Sequence, residues 1–200
     1  MMMKIVQVVV RRNIGATVRR LYGVNATISI DDKIAILDCS LKHVHQFGWT
    51  QETIHAAVEE LGLPTAAHTV VNRGVYDLVE HFTNRRREYV ISTVRKLPTT
   101  MLPDTDKPVD RVQAALDAHI SFVQPYLKSW PSALAIMAEP ALWTSTSSSL
   151  LGIADDICVL EDVKAFRIDW YSERILAAYL FASTEVYMLA DCSHELSDTR

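Results

Sequence analysis

Residues 34–64 read IAILDCSLKHVHQFGWTQETIHAAVEELGLP, and this stretch decides the fold class. In its first half, apolar residues recur every three to four positions, which is the period of one helix face. Gly48 supplies a stop for that helix, and Thr50 supplies an N-cap for a second helix that ends at Gly62. The stretch therefore predicts two amphipathic helices joined by a tight turn.

The helical period continues towards the C-terminus. Pro64 starts a short third helix, and a longer helix follows Gly74 and ends before Pro98. Residues 98–108 are predicted to be a loop. Four more helices are predicted to begin near Val109, near Trp130, between Pro140 and Leu150, and after a loop at Glu161 to Arg167. No strand alternation of useful length and no fixed-period repeat occurs, which predicts one all-α domain over residues 31–200.

The composition supports a single globular domain. The chain has 200 residues, of which 49% are apolar and 22% are charged. This is enough for one compact core, and no run of about 18 uncharged apolar residues is present that could span a bilayer. The three cysteines are widely separated and form no CxxC pair, so they predict neither a disulfide framework nor a zinc site.

Charge is distributed unevenly along the chain. Residues 1–30 contain five basic residues and no acidic ones, which is typical of a mitochondrial transit peptide, with a disordered basic tail as the alternative. Subtracting those five from the 20 basic residues leaves 15 against 24 acidic residues, so residues 31–200 carry a net charge of -9. Such a body repels phosphates, and nucleic acid is not an expected partner.

Motifs for catalysis or metal binding are sparse. Glu52 and His55 have the Glu-x-x-His spacing of a carboxylate di-iron site, but the sequence has no second pair, and solvent-exposed polar residues are the favoured interpretation. His43 and His45 are expected at the surface, and the arginines at 85–87 are interpreted as a solvated helix face. No GxSxG motif or phosphate loop occurs, so no catalytic residue, cofactor or metal ligand is predicted.

Residues 34–72 resemble the helix-turn-helix of TetR-type repressors, and the later helices resemble their ligand-binding body. A DNA-reading helix needs Arg, Lys, Asn or Gln, whereas Pro64 to Val71 reads PTAAHTVV. We therefore expect a TetR-like fold with a degenerate helix-turn-helix. A ligand-responsive transcriptional regulator remains the alternative function. A third hypothesis is an enzyme for a small apolar substrate, which requires Glu52 and His55 to face one pocket.

Several longer motifs carry a family resemblance that covers about residues 34–199. They include HVHQFGW at 43–49, NRGVYDLVEHF at 72–82, the Trp-Pro-x-Ala-Leu-Ala segment at 130–135 and DWYSERILAAYLFASTEVYMLADCS at 169–193. In order and spacing they are similar to the mitochondrial lipid-binding accessory proteins of ubiquinone (coenzyme Q) biosynthesis. The last two motifs are not expected in a generic helical protein.

The resemblance implies a non-enzymatic function. Proteins of this family bind a polyprenyl quinone precursor or isoprenoid lipid and present it to the di-iron demethoxyubiquinone hydroxylase, which holds the metal itself. The resemblance further implies a homodimer, peripheral membrane contact and a location on the matrix side of the inner mitochondrial membrane.

Two sets of site residues follow from the resemblance. The lipid-binding set is Phe122, Trp130, Leu134, Met137, Leu150, Ile153, Ile157, Tyr179 and Leu180. The partner-binding set is Asp155, Asp156, Trp170, Tyr171 and Arg174.

The chain departs from the family pattern at two places. An aromatic pair and a glycine turn of the family are replaced by residues 158–163, which is expected to alter that loop and partner docking. Family members continue into an amphipathic membrane-binding helix, whereas this chain stops at Arg200, so weaker membrane attachment is expected.

Overall fold

The computed structural model describes residues 30–96, 107–160 and 168–199, and within these ranges the regular structure is entirely helical. Residues 1–29 of the predicted transit segment (1–30), most of the predicted loop at 98–108 and the loop at 161–167 lie outside the described residues. The α-helices are α1 (Ile30–Phe47), α2 (Gln51–Glu60), α3 (Val75–Arg95), α4 (Lys107–Val123), α5 (Trp130–Met137), α6 (Trp143–Leu160) and α7 (Ile168–Ala190). Short 3₁₀ helices cover Thr65–Val70, Gln124–Tyr126 and His194–Leu196.

The turn between α1 and α2 forms where the sequence predicts it. Gly48 has a φ of +69°, a conformation that favours glycine, and its N–H donates to the carbonyl of Val44 over 2.9 Å. The hydroxyl of Thr53 donates to the Gly48 carbonyl over 2.6 Å. Thr50 occupies the N-cap position, but its hydroxyl donates to the carbonyl of Phe47 and makes no cap hydrogen bond. Side-chain hydrogen bonds from α2 and its N-cap to the end of α1 therefore stabilise the turn.

Two predicted elements differ in detail. The short third helix is a 3₁₀ helix of six residues, Thr65–Val70, rather than an α-helix. Helix α4 begins at Lys107, so the loop predicted over residues 98–108 ends earlier than expected. Pro108 occupies the first turn of α4, where its missing N–H costs nothing because that group has no helical partner.

The core consists of two apolar clusters. The larger cluster joins α1 to α5 and includes Met188 of α7, and it centres on aromatic rings whose centroids lie 5.0–6.2 Å apart. These rings are Trp49, Phe82, Phe122, Tyr126 and Trp130. The smaller cluster joins α3, α4, α6 and α7. Helix α3 contributes its first half to the larger cluster and its second half to the smaller one.

Helix α7 buries charged side chains and leaves several of its large apolar side chains exposed. Its inward face carries Arg174, Ala177, Phe181, Glu185 and Met188, which are all buried and follow a spacing of three or four residues. The large apolar residues that mark the helix in the sequence, including Leu176, Tyr179, Val186 and Leu189, are exposed.

No described helix is long and apolar enough to cross a bilayer.

Candidate functional site: an apolar outer face above a buried ion pair

The outward side of α7 is an apolar surface. We call it the α7 outer face and define it by six exposed side chains: Tyr171, Ile175, Leu176, Tyr179, Val186 and Tyr187. Each is 59–67% exposed. On α6, Trp143 and Leu151 are exposed as well. Large exposed apolar side chains grouped on one helix face are typical of interaction sites.

Four of the five predicted partner-binding side chains are described, and two of them form an ion pair. The Nε of Arg174 donates to Oδ1 of Asp155 over 2.6 Å, which ties α7 to α6. Arg174 is buried, while about half of the Asp155 side chain is exposed. Tyr171 lies one turn before Arg174 and is 67% exposed. The side chain of Trp170 lies outside the described residues.

Asp156 points to a different neighbour. Its Oδ2 accepts a hydrogen bond of 2.6 Å from Nε of Arg87 on α3. The Arg87 guanidinium crosses over Gly152, where an added Cβ would lie 2.7 Å from its Nη1. Asp155 and Asp156 therefore tie α6 to two different helices, α7 and α3.

Beneath the α7 outer face lies a buried ion pair. Nη1 of Arg86 donates to Oε1 of Glu185 over 2.5 Å, and both side chains are almost fully buried. His119 is completely buried, and its Nε2 lies 3.5 Å from the same carboxylate oxygen. Neither ring nitrogen of His119 has a hydrogen-bond partner among the described residues. Burial, aided by the Arg86 charge, holds the pKa of His119 well below its usual value, so the ring is neutral.

This pair corrects one sequence interpretation. The arginines at 85–87 were expected on a solvated helix face, but Arg86 points into the core, over the ring of Trp130 at 5.7 Å. Arg85 does lie at the surface, where it donates to Asp38. Three consecutive helical residues point in directions about 100° apart, so they do not share one face.

Seven of the nine predicted lipid-binding residues are divided between the two core clusters. Phe122, Trp130, Leu134 and Met137 belong to the larger cluster. Leu150, Ile153 and Ile157 belong to the smaller one. Tyr179 lies on the α7 outer face, and Leu180 beside it is half-buried.

A polar cleft of about 570 Å³ separates α3 from the first half of α6. Its walls carry Arg73, Glu80 and Arg87 on α3 or just before it, and serine and threonine hydroxyls on α6. The hydroxyl of Ser145 crosses the cleft to donate to Oε1 of Glu80 over 3.1 Å. Met137 is the one predicted lipid-binding residue among those lining this cleft.

Glu52 and His55 are both exposed on α2. The enzyme hypothesis required them to face a shared pocket, and their positions in solvent remove its basis. His45 is exposed as predicted, whereas His43 is half-buried, with Nε2 2.7 Å from Oε2 of Glu60.

One further group of side chains is not evident from the sequence pattern. Cys39, His43 and Glu60 each place one ligand atom within 4.8 Å of the other two. The detectable signal was the spacing of four residues between Cys39 and His43, which puts both on one helix face. The distance from Glu60 in sequence concealed the third member, because only the turn at Gly48 brings α2 back against α1.

The fold thus defines an all-helical protein whose last helix turns an apolar face outward. Comparison with known proteins agrees with the resemblance seen in the sequence. Residues 143–200, which include α6 and α7, match the family model described as COQ9. Over most of its length the chain is similar to curated proteins of that name.

Three relatives show the extent of the similarity. The mitochondrial ubiquinone biosynthesis protein COQ9 of Drosophila melanogaster is 30% identical over 79% of this chain and 48% of its own length. A probable mitochondrial ubiquinone biosynthesis protein of Dictyostelium discoideum is 30% identical over 84% of this chain and 55% of its own. The human COQ9 protein is 29% identical, over 82% and 52%. The chain spans about half the length of these relatives.

Proposed function

We propose that this chain is a non-enzymatic lipid-binding accessory protein of ubiquinone biosynthesis. In this proposal it binds a polyprenyl quinone precursor and presents it to the di-iron demethoxyubiquinone hydroxylase. The observation that carries the proposal is the α7 outer face, an exposed apolar surface in the part of the chain that matches the family model. The names of its relatives support the pathway.

The chemical need for such a protein follows from the substrate. A polyprenyl tail is too insoluble to diffuse freely to an active site, because each CH₂ removed from water contributes about 0.8 kcal/mol. The proposed tail-binding residues lie on α4 to α7. Because Trp130, Ile153 and Ile157 are fully buried, binding of a tail by these residues requires the core to open.

Docking of the hydroxylase is proposed to use Trp170, Tyr171 and Arg174, with Asp155 and Asp156 beside them. Two properties support this. Tyr171 offers an exposed aromatic anchor of the kind found at binding hot spots. The Arg174–Asp155 ion pair holds α6 and α7 in fixed register below it.

The fold is proposed to be TetR-like, with α1, α2 and the Thr65–Val70 segment as a degenerate helix-turn-helix. In that case the α7 outer face is also suited to pairing with a second copy. The rival function, a DNA-binding regulator, is disfavoured because the third element is a six-residue 3₁₀ helix without Arg, Lys, Asn or Gln. Residues 1–30 are proposed to be a transit peptide directing the 31–200 domain to the mitochondrial matrix, where it contacts the inner membrane peripherally.

The test is native mass spectrometry with lipid extraction on protein purified from a quinone-producing host. We expect a co-purifying polyprenyl quinone or isoprenoid. A matched control is the Glu52→Gln/His55→Gln double variant, which alters two exposed polar residues and is expected to retain the same lipid. A folded, dimeric sample without any isoprenoid would contradict the proposal.

A further inference from the structure

A second candidate site, which shares no residue with the proposed docking surface, lies where the end of α2 meets α1. Cys39 and His43 are one turn apart on α1, and Glu60 is the last residue of α2. Their Sγ, imidazole nitrogen and carboxylate oxygen all lie within 4.8 Å of one another. The three side chains form a graded set: Cys39 is buried, His43 is half-buried and Glu60 is exposed.

We propose that Cys39, His43 and Glu60 form a Zn²⁺ site that clamps α1 to the end of α2. Thiolate, imidazole and carboxylate are the three ligand types that Zn²⁺ uses in proteins. Metal–ligand distances of about 2.0–2.3 Å place tetrahedral ligand atoms roughly 3–4 Å apart, so adjustments of no more than about 2 Å bring the three atoms into range.

The donor set also selects the class of ion. A thiolate and an imidazole favour borderline-soft ions such as Zn²⁺ over Mg²⁺ or Ca²⁺, which prefer oxygen ligands. The Cys39 thiolate and the Glu60 carboxylate together neutralise a divalent charge. The thiol proton leaves to bulk water when the metal binds. With three protein ligands, the fourth position lies open on the exposed Glu60 side and takes a water molecule.

The surroundings are compatible with this chemistry. Cys39 would usually be a small buried apolar residue, but here it lies beside a carboxylate and an imidazole. The His43 ring is already oriented towards Glu60, at 2.7 Å from Nε2 to Oε2. Lys42 also contacts Glu60 over 3.3 Å, but its side chain is 70% exposed and can move aside without loss of burial. A surface pair of this kind contributes little to stability.

The consequence is local stiffening. The helix pair is joined through the turn at Gly48, and Glu60 lies where α2 ends. A metal bridge there fixes the hairpin at its open end, opposite to the turn. This site shares no residue with the lipid-binding or partner-binding sets, so the inference is independent of the proposed function.

The experiment uses the full chain, stripped of metal with a chelator and titrated with Co²⁺ as a spectroscopic substitute for Zn²⁺. We expect a thiolate-to-cobalt charge-transfer band in the near ultraviolet, tetrahedral visible bands, and loss of both when Zn²⁺ is added. Zn²⁺ should also raise the melting temperature of the protein. Absence of the charge-transfer band in folded protein overturns the proposal.

Matched variants locate the site. Cys39→Ser, His43→Gln and Glu60→Gln should each weaken Zn²⁺ binding by about tenfold or more, the lower end of what even outer-shell changes cost. Cys192→Ser, His45→Gln and Glu59→Gln alter exposed residues of the same types and should leave affinity unchanged. Because Glu60 is exposed, Glu60→Gln should fold even if Cys39→Ser does not. A band that persists in Glu60→Gln at full affinity, or that disappears in Cys192→Ser, overturns the assignment.

Discussion

Arg86 and Glu185, 99 positions apart in the chain, form a buried ion pair at 2.5 Å that joins α3 to α7. The first prediction concerns this pair. Glu185→Gln leaves the Arg86 charge buried without its partner, which should lower the free energy of unfolding by about 3–5 kcal/mol. Chemical denaturation measures the change. Glu173→Gln, an exposed change on the same helix, should have an effect near zero.

The same pair allows a double-variant test. Arg86→Met with Glu185→Leu removes both charges and replaces them with apolar groups, which for buried pairs is often neutral or stabilising. We expect the double variant to be more stable than Glu185→Gln alone. If the two substitutions were simply additive, the buried ion pair would not be the source of the loss.

His119 provides a pH prediction. In the unfolded chain its pKa is about 6.5, whereas in the folded protein burial and Arg86 hold the pKa well below that value. As the pH falls below about 6.5, the unfolded state therefore binds a proton that the folded state does not, and stability decreases. The slope contributed is up to about 1.4 kcal/mol per pH unit.

Denaturation curves between neutral and mildly acidic pH measure this slope. His119→Leu should flatten the dependence, while His194→Gln, a change at an exposed histidine, should leave it unaltered. An identical slope in His119→Leu and the unmodified protein would show that other groups cause the acid sensitivity.

The third prediction concerns Tyr171 and binding of the hydroxylase. Tyr171→Lys places a charge on the α7 outer face at the proposed docking residue, and hydroxylase binding should weaken by at least about tenfold if it is a hot spot. Helical circular dichroism should not change, because the side chain is 67% exposed. Tyr89→Lys, at an exposed tyrosine on α3, is the control. Equal affinity in the two variants would remove Tyr171 from the docking surface.

The fourth prediction concerns self-association of the protein. Ile175→Glu with Val186→Glu introduces two charges on the α7 outer face, both at exposed positions. If this face pairs two copies, sedimentation should shift from dimer to monomer, with no loss of thermal stability in the monomer fold. Phe47→Glu, at an exposed apolar residue of α1, should remain dimeric. A dimer that survives the double change pairs through another surface.

Most of the fold was predictable because helix boundaries have local causes. Gly48, Gly62 and Pro98 terminate helices through the local backbone conformation. The helices begin and end within a few positions of where these residues indicate. Helix α6 begins at Trp143, within the interval from Pro140 to Leu150 that the sequence indicates. The third helix was predicted at the right place, but the sequence pattern did not distinguish a 3₁₀ helix from a short α-helix.

Orientation and long-range pairing were harder to predict. In α7, apolar residues occur on all sides, so periodicity could not decide which side is buried, and the core took Arg174 and Glu185 instead of Leu176 and Val186. Arg86 was misassigned because its partner lies 99 residues away. Cys39 and Glu60 were not connected, because the residues between them carry no metal motif. Residue type alone does not reveal such contacts.

The outward position of these apolar side chains on α7 changes how natural variation in this chain should be interpreted. A scale that ranks missense changes by residue type would flag Ile175, Leu176 and Val186 as intolerant and would accept changes at Arg174 and Glu185. The geometry indicates the opposite for protein abundance in the cell: the apolar positions can vary without unfolding the chain, and the charged ones cannot. Variants at the first group would act as assembly defects in well-expressed protein, and variants at the second as losses of the protein itself.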